Sequence, residues 1–128
     1  MAWTSITRRQ GLPSDTVWTV WRDHAGTLWA GTNRGVAYAT PQGWTTLPQT
    51  MERSFYAFAE SHDGALWIGG NSGHAGTNTL LLRPHGSQAF EPVPLASAKG
   101  AATVNSMAFG ADGALYVMTK KPMDGQIL

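Results

Sequence analysis

Val17-Trp18-Thr19-Val20-Trp21-Arg22-Asp23-His24-Ala25-Gly26-Thr27-Leu28-Trp29-Ala30-Gly31-Thr32 is the stretch whose reading decides the fold, because the chain contains it three times. Residues 55–70 keep Gly64, Leu66, Trp67 and Gly69 in register with it. Residues 104–119 keep Gly113, Leu115, an aromatic at Tyr116 and, to match Thr32, Thr119. The copies are offset by 38 and then 49 residues. Spacing of that order belongs to repeat architectures that stack one supersecondary unit per repeat.

Within each copy the turn carries glycine: Gly26, then Asp63-Gly64, then Asp112-Gly113. Asp-Gly accepts the positive φ angles of a tight hairpin, so each turn should join two antiparallel strands. The strand before it, residues 17–21, is apolar almost throughout and predicts a strand buried on both faces. Residues 28–32, 66–70 and 115–119 form the second strand of each repeat. A third strand follows at 36–40 and 79–83. Then Pro41-Gln42-Gly43 and Pro84-His85-Gly86 break the chain. Fourth strands follow at 44–47 and 90–93.

Four antiparallel strands in a repeat of this length are the dimensions of a β-propeller blade. A solenoid fits less well, because no stretch shows a sustained helical period and the turn spacing does not supply single-strand coils. The expected fold is therefore all-β, a partial propeller of about three four-stranded antiparallel blades. An orphan outer strand would occupy about 3–7, blade one about 17–47, blade two about 55–93 and an incomplete blade three about 104–128. Trp3-Thr4-Ser5-Ile6 looks like Trp44-Thr45-Thr46-Leu47, which makes the first strand an outer one without a blade of its own. Asp124-Gly125-Gln126-Ile127-Leu128 begins a third strand of blade three. Known propellers have about four to eight blades, so one copy does not close a ring. Either the chain is cut from a longer propeller, or two copies exchange the strand at 3–7 and complete each other as six blades.

Composition narrows the function classes. Of the 128 residues 13% are charged, about half the ordinary share of roughly 25%. Six Trp and fifteen Gly fit tightly turned, aromatic-rich β structure. A formal charge of +1 gives no nucleic-acid footprint, and Arg8-Arg9 and Lys120-Lys121 are isolated pairs. No apolar run approaches the ~20 residues of a membrane span, so this segment is not expected to contact a bilayer. The first residues show neither a charged n-region nor an h-region of a signal peptide. With no cysteine there are no disulfides and no thiolate metal sites.

The run Gly11-Leu12-Pro13-Ser14-Asp15-Thr16-Val17, continued by Asp23-His24-Ala25-Gly26-Thr27-Leu28-Trp29-Ala30-Gly31-Thr32 and Gly35-Val36, resembles the two-component regulator propeller repeat. In that family a "glpsn-V" segment precedes "D-x-x-G-x-lWiGT-x-x-Gl". The second repeat keeps His62-Asp63-Gly64-Ala65-Leu66-Trp67-Ile68-Gly69-Gly70 but lacks the closing Gly-Leu. The third has Tyr116 for Trp and Met118 for Gly. The resemblance implies a propeller fold and an extracytoplasmic, periplasmic sensor of hybrid histidine kinases or similar regulators. Such a module binds a ligand, often carbohydrate-derived, or passes on a conformational signal. The chain has no kinase, receiver, cyclase or DNA-binding segment of its own.

Loop lengths suggest where a ligand would sit. The second repeat is 11 residues longer than the first. Aligning Thr40 with Arg83 and Gly43 with Gly86 puts five of these in the loop between strands two and three, three in the next turn and three in the blade-joining segment. Eight of the 11 then fall on one face of the disc, and binding concentrates in variable loops on rigid scaffolds. The longer loop, Asn71-Ser72-Gly73-His74-Ala75-Gly76-Thr77-Asn78, offers amides and backbone N–H groups to a sugar or an anion. It has no Gly-Lys-Ser/Thr and is not a P-loop, and it reads equally as a plain surface loop.

Trp18, Tyr56 and Asn105 hold one position of the innermost strand, where they can stack on and hydrogen-bond a sugar ring or else pack between blades. Arg34 and Arg53 lie on the same face and can meet an acidic ligand. The candidate ligand residues are therefore Trp18, Arg34, Arg53, Tyr56, Asn71, His74, Asn78 and Asn105. His24 and His62 hold equivalent turn positions, and no zinc, Gly-x-Ser-x-Gly or EF-hand pattern occurs. Neither a cofactor, nor a metal, nor a catalytic residue is expected. Two other readings remain: a propeller lyase or hydrolase of streptogramin-lyase type, which a histidine and carboxylate cluster would favour, and a structural protein-interaction propeller.

Overall fold

The computed structural model describes residues 8–51, 53–71, 80–93, 103–120 and 126–127. Its architecture follows from the hairpin turns. Gly26, Gly64 and Gly113 take φ values of 91°, 93° and 84°, a conformation closed to most other residues. Each glycine reverses the chain between an innermost strand and the next. Blade one comprises β1 (Val17–Arg22), β2 (Leu28–Thr32), β3 (Gly35–Thr40) and β4 (Gly43–Thr46) in that spatial order. Blade two repeats the order with β5 (Phe55–Glu60), β6 (Leu66–Gly70), β7 (Leu80–Arg83) and β8 (Glu91–Pro92). Blade three contains β9 (Thr103–Phe109), β10 (Leu115–Lys120) and β11 (Gln126–Ile127). All pairings are antiparallel. Two short 3-10 turns, Arg8–Gln10 and Pro48–Thr50, precede blades one and two.

The innermost strands β1, β5 and β9 pack side by side, so the blades stack face to face in chain order. Trp29 and Val36 of blade one meet Phe55, Phe58, Leu66, Ile68, Leu81 and Phe90 of blade two in one seam. Ala57, Ala59 and Leu80 meet Val104, Met107, Leu115 and Val117 in the other. Close approach is built into the sequence at Gly31 and Gly69. A Cβ on Gly31 would lie 2.6 Å from the Phe55 carbonyl oxygen, and one on Gly69 would lie 2.6 Å from Val104 Cγ1. Buried Thr50 ties the joining segment to blade one: its Oγ1 accepts from Val36 N at 2.9 Å and donates to Leu47 O at 2.7 Å.

Two expectations change. The first strand is not buried on both faces: Trp18 is 51% and Val20 65% exposed, because the described residues place no blade against that side of β1. In β5, which has a blade on each side, Phe55, Ala57, Phe58 and Ala59 are all buried. The ladder also moves one loop boundary. Gly31 pairs with Val36 and Gly69 with Leu80, so four residues separate the first pair and ten the second. The loop between strands two and three is thus longer by six residues rather than five, since Ala39, not Thr40, is the counterpart of Arg83. The expected strand at 3–7 and the joining segment at 95–102 lie outside the described residues, as do residues 72–78 of the long loop. Among the described residues no helix is long and apolar enough to cross a membrane.

Candidate functional site

The innermost strands carry a bulge at the same place in all three blades. In β1 the register passes from Val17↔Thr32 to Thr19↔Gly31 and skips Trp18. In β5 it passes from Phe55↔Gly70 to Ala57↔Gly69 and skips Tyr56. In β9 it passes from Val104↔Thr119 to Ser106↔Met118 and skips Asn105. A bulge bends the strand and re-aims the extra residue's side chain, and bulges are frequent beside active sites. These three residues therefore form a row along adjacent strands. The Trp18 and Tyr56 rings lie 5.5 Å apart between centroids, tilted by 55°. Trp18 is half exposed, Tyr56 half-buried and Asn105 exposed.

The loops at this end are tied together by hydrogen bonds, two between backbones and one from a side chain. Asn33 N donates to Thr16 O at 3.3 Å, Asn71 N donates to Ser54 O at 2.8 Å, and Ser54 Oγ donates to Asn33 O at 3.4 Å. The turn of Arg34, the start of the long loop at Asn71 and the joining segment at Ser54 thus share one end of the blades. Arg34 is exposed there, with its N–H donating to Thr32 Oγ1 at 3.0 Å. Arg53 is partly buried: its Nη2 donates to Gln49 O at 2.9 Å, and its guanidinium sits 5.2 Å from the Phe55 ring centroid. Of the sequence candidates, Trp18, Tyr56 and Asn105 form the row, and Arg34, Arg53 and Asn71 lie at its end of the molecule. His74 and Asn78 fall outside the described residues.

Sequence reasoning missed a second constellation at the opposite end, where the hairpin turns lie. Asp23 is buried and accepts from Ala25 N at 3.0 Å, Thr27 N at 2.9 Å and Trp29 Nε1 at 2.9 Å. Arg83 Nη2 stands 3.8 Å from Asp23 Oδ2, with its guanidinium over the Trp29 and Phe90 rings at 5.5 and 5.8 Å. Burial pushes the Asp23 carboxyl up. The bonds from Trp29, Thr27 and Ala25 and the Arg83 charge outweigh that, and its pKa lies below the ordinary carboxylate value. Beside it the Glu60 carboxylate accepts from His24 N at 3.0 Å and from Trp21 Nε1 at 3.3 Å, with His24 Nε2 at 3.6 Å. His24, Glu60, His62, Asp63, Arg83 and His85 line a cleft of about 490 Å³ between the turns of blades one and two. The repeat offset relates His24 to His62, but nothing in the sequence pattern brings His85 or Glu60 to them. Among the described residues no group of three or more His, Cys, Asp and Glu is placed to hold a metal ion.

Sheets, seams and repeat order define this chain as a stretch of β-propeller. Among solved structures it is similar to a streptogramin B lyase, with a TM-score of 0.56 and 17% sequence identity. That similarity covers 88% of this chain and 39% of the lyase chain, and at this identity it speaks for the fold. No family model and no curated protein matches the chain.

Proposed function

We propose that the chain is part of a non-catalytic sensing propeller of the two-component-regulator type, working outside the cytoplasm. Its ligand surface is the bulge row Trp18, Tyr56 and Asn105, bordered by Arg34, Arg53 and the loop beginning at Asn71. The observation that carries this reading is the bulge repeated in three blades with an aromatic pair on it, Trp18 exposed and Tyr56 half-buried. Tilted aromatic faces offer an apolar platform to the C–H face of a sugar, and an amide beside them can bond its hydroxyls. A carbohydrate-derived ligand fits this chemistry.

Titration calorimetry with neutral and acidic oligosaccharides tests it. Binding to the wild-type chain that Trp18→Ala weakens at least tenfold, with the fold intact by circular dichroism, supports the reading. Binding that survives Trp18→Ala and Tyr56→Ala alike refutes it.

A second reading, a propeller lyase, draws on the cleft, where histidines stand beside a carboxylate and an arginine. An elimination product formed by the wild type and lost in His62→Ala and His85→Ala would favour it over sensing.

A further inference from the structure

Both walls of the cleft between the turns of blades one and two belong to the described residues, and β7 ends in it at Arg83. The Arg83 guanidinium rests 5.5 Å from the Trp29 ring centroid and 5.8 Å from that of Phe90. Its Nη2 stands 3.8 Å from Asp23 Oδ2, within reach of an ion pair but beyond a hydrogen bond. Asp23 instead accepts from Ala25 N, Thr27 N and Trp29 Nε1. Among the described residues the Arg83 side chain donates no hydrogen bond. A guanidinium is a planar fork of five N–H donors that matches the two oxygens of a carboxylate. Stacking has fixed the plane of this one and left its donors unspent.

His62 and His85 line the same cleft, both exposed and neither hydrogen-bonded through its ring among the described residues. The matching cleft between the turns of blades two and three has the same volume of about 490 Å³. It holds His62 but no arginine or lysine, and Phe109 occupies the ladder position of Glu60. Neighbouring turns therefore pack without a cationic group, and the fold alone does not require Arg83 and His85.

The charges facing the cleft are Arg83 against Asp23, Glu60 and Asp63, with three imidazoles from His24, His62 and His85. With the imidazoles neutral, the carboxylates outnumber the arginine. Protonating the imidazoles reverses that balance, and His24 then offsets Glu60 at 3.6 Å. Histidine changes charge between about pH 5 and pH 8. Because the carboxylates remain, a single negative charge meets less repulsion than the dianion of a phosphate. The volume lies in the range of small-molecule sites and leaves room for an organic group behind the charge.

We propose that this cleft binds a small organic carboxylate on the Arg83 fork, with His62 and His85 as partners that engage when protonated. Capture therefore strengthens as the surroundings turn acidic. The site lies at the opposite end of the blades from the row of Trp18, Tyr56 and Asn105 and does not depend on it.

The test is a titration of the full chain with benzoate at about pH 5.5 and about pH 7.5, followed by the NMR signals of the imidazoles and of Arg83 Nε–H. Asp23 is ionised at both values, its pKa lying below the ordinary carboxylate one, so the joint between the blades is intact throughout. Benzoate should shift the His62, His85 and Arg83 signals saturably and bind about tenfold more tightly at the lower pH. Benzyl alcohol, which lacks the charge, should shift none of them. Arg83→Gln should abolish binding with an unchanged circular dichroism spectrum, and His62→Gln combined with His85→Gln should flatten the pH dependence. If Arg83→Gln does not fold, Arg83→Lys replaces it: it keeps the charge beside Asp23, loses the fork and should bind about tenfold more weakly. No saturable shift at the lower pH, equal shifts with benzyl alcohol, or equal affinity at the two pH values overturns the proposal. Binding that the Arg83 variants leave unchanged, or inorganic phosphate that binds more tightly than benzoate, overturns it as well.

Discussion

Trp18 and Tyr56 are separated by 38 positions in the chain and by 5.5 Å between ring centroids, and each is the residue that its strand's ladder skips. The repeat offset and the bulge together make this pair. Its coupling should be modest, about 0.5–1.5 kcal/mol, as for other aromatic pairs beyond their area burial. A double-mutant cycle on Trp18→Ala and Tyr56→Ala, read by urea denaturation, should return a value in that range. A coupling near zero would mean that the rings touch without supporting each other.

Equivalent positions should respond very differently to the same change. Phe58→Ala empties the seam between blades one and two and should cost about 3–5 kcal/mol. Val20→Ala, at the matching position of blade one, should stay within about 0.5 kcal/mol in the monomer, because Val20 is already largely in water. Denaturant midpoints measured on dilute protein decide between these outcomes.

A methyl group at Gly31 has nowhere to go. Backbone at Phe55 stands 2.6 Å away, and backbone cannot yield as a flexible side chain does. Gly31→Ala should therefore lose about 1–3 kcal/mol, the usual penalty of overpacking. Met118→Ala, at the same ladder position in blade three, should be almost neutral in the monomer. Thermal melts of the two variants side by side make the comparison.

Acid should weaken the molecule through Asp23. Its pKa is below 3.8 in the folded state, so its ionisation stabilises fully above 3.8 and the benefit drains away as pH falls through the folded value. Urea unfolding between pH 6 and pH 2 should show stability falling below about pH 4. In Asp23→Asn that part of the slope should vanish. The same variant should cost about 1–3 kcal/mol at neutral pH, since Trp29 Nε1 and two turn N–H groups lose a charged acceptor.

Blade order, hairpin turns and strand content could be read from the repeat, because Gly26, Gly64 and Gly113 mark the turns by a local chemical necessity. The common place of Trp18, Tyr56 and Asn105 was legible for the same reason. Their bulges were not, because a bulge is a property of register and depends on the partner strand. Burial of β1 was misread since an apolar run shows what a strand can bury, and only the neighbouring sheets decide what it does bury. The cleft around His24, Glu60, His62 and His85 stayed hidden because its members come from turns and strand ends of two different blades.

Arg83 reaches back from blade two to Asp23 and Trp29 of blade one, and Glu60 does the same toward Trp21 and His24. The counterparts of Asp23 are Ser61, which bonds within its own turn, and Gly110. The seam between blades one and two therefore carries charged ties besides its packing, while the other is held among the described residues by apolar packing, with Trp67 and Phe109 set against Ala57, Leu80, Val104, Met107 and Val117. In an array coupled only between neighbours, each joint opens on its own terms. Acid that protonates Asp23 should therefore loosen the joint between blades one and two and leave the one between blades two and three as it was.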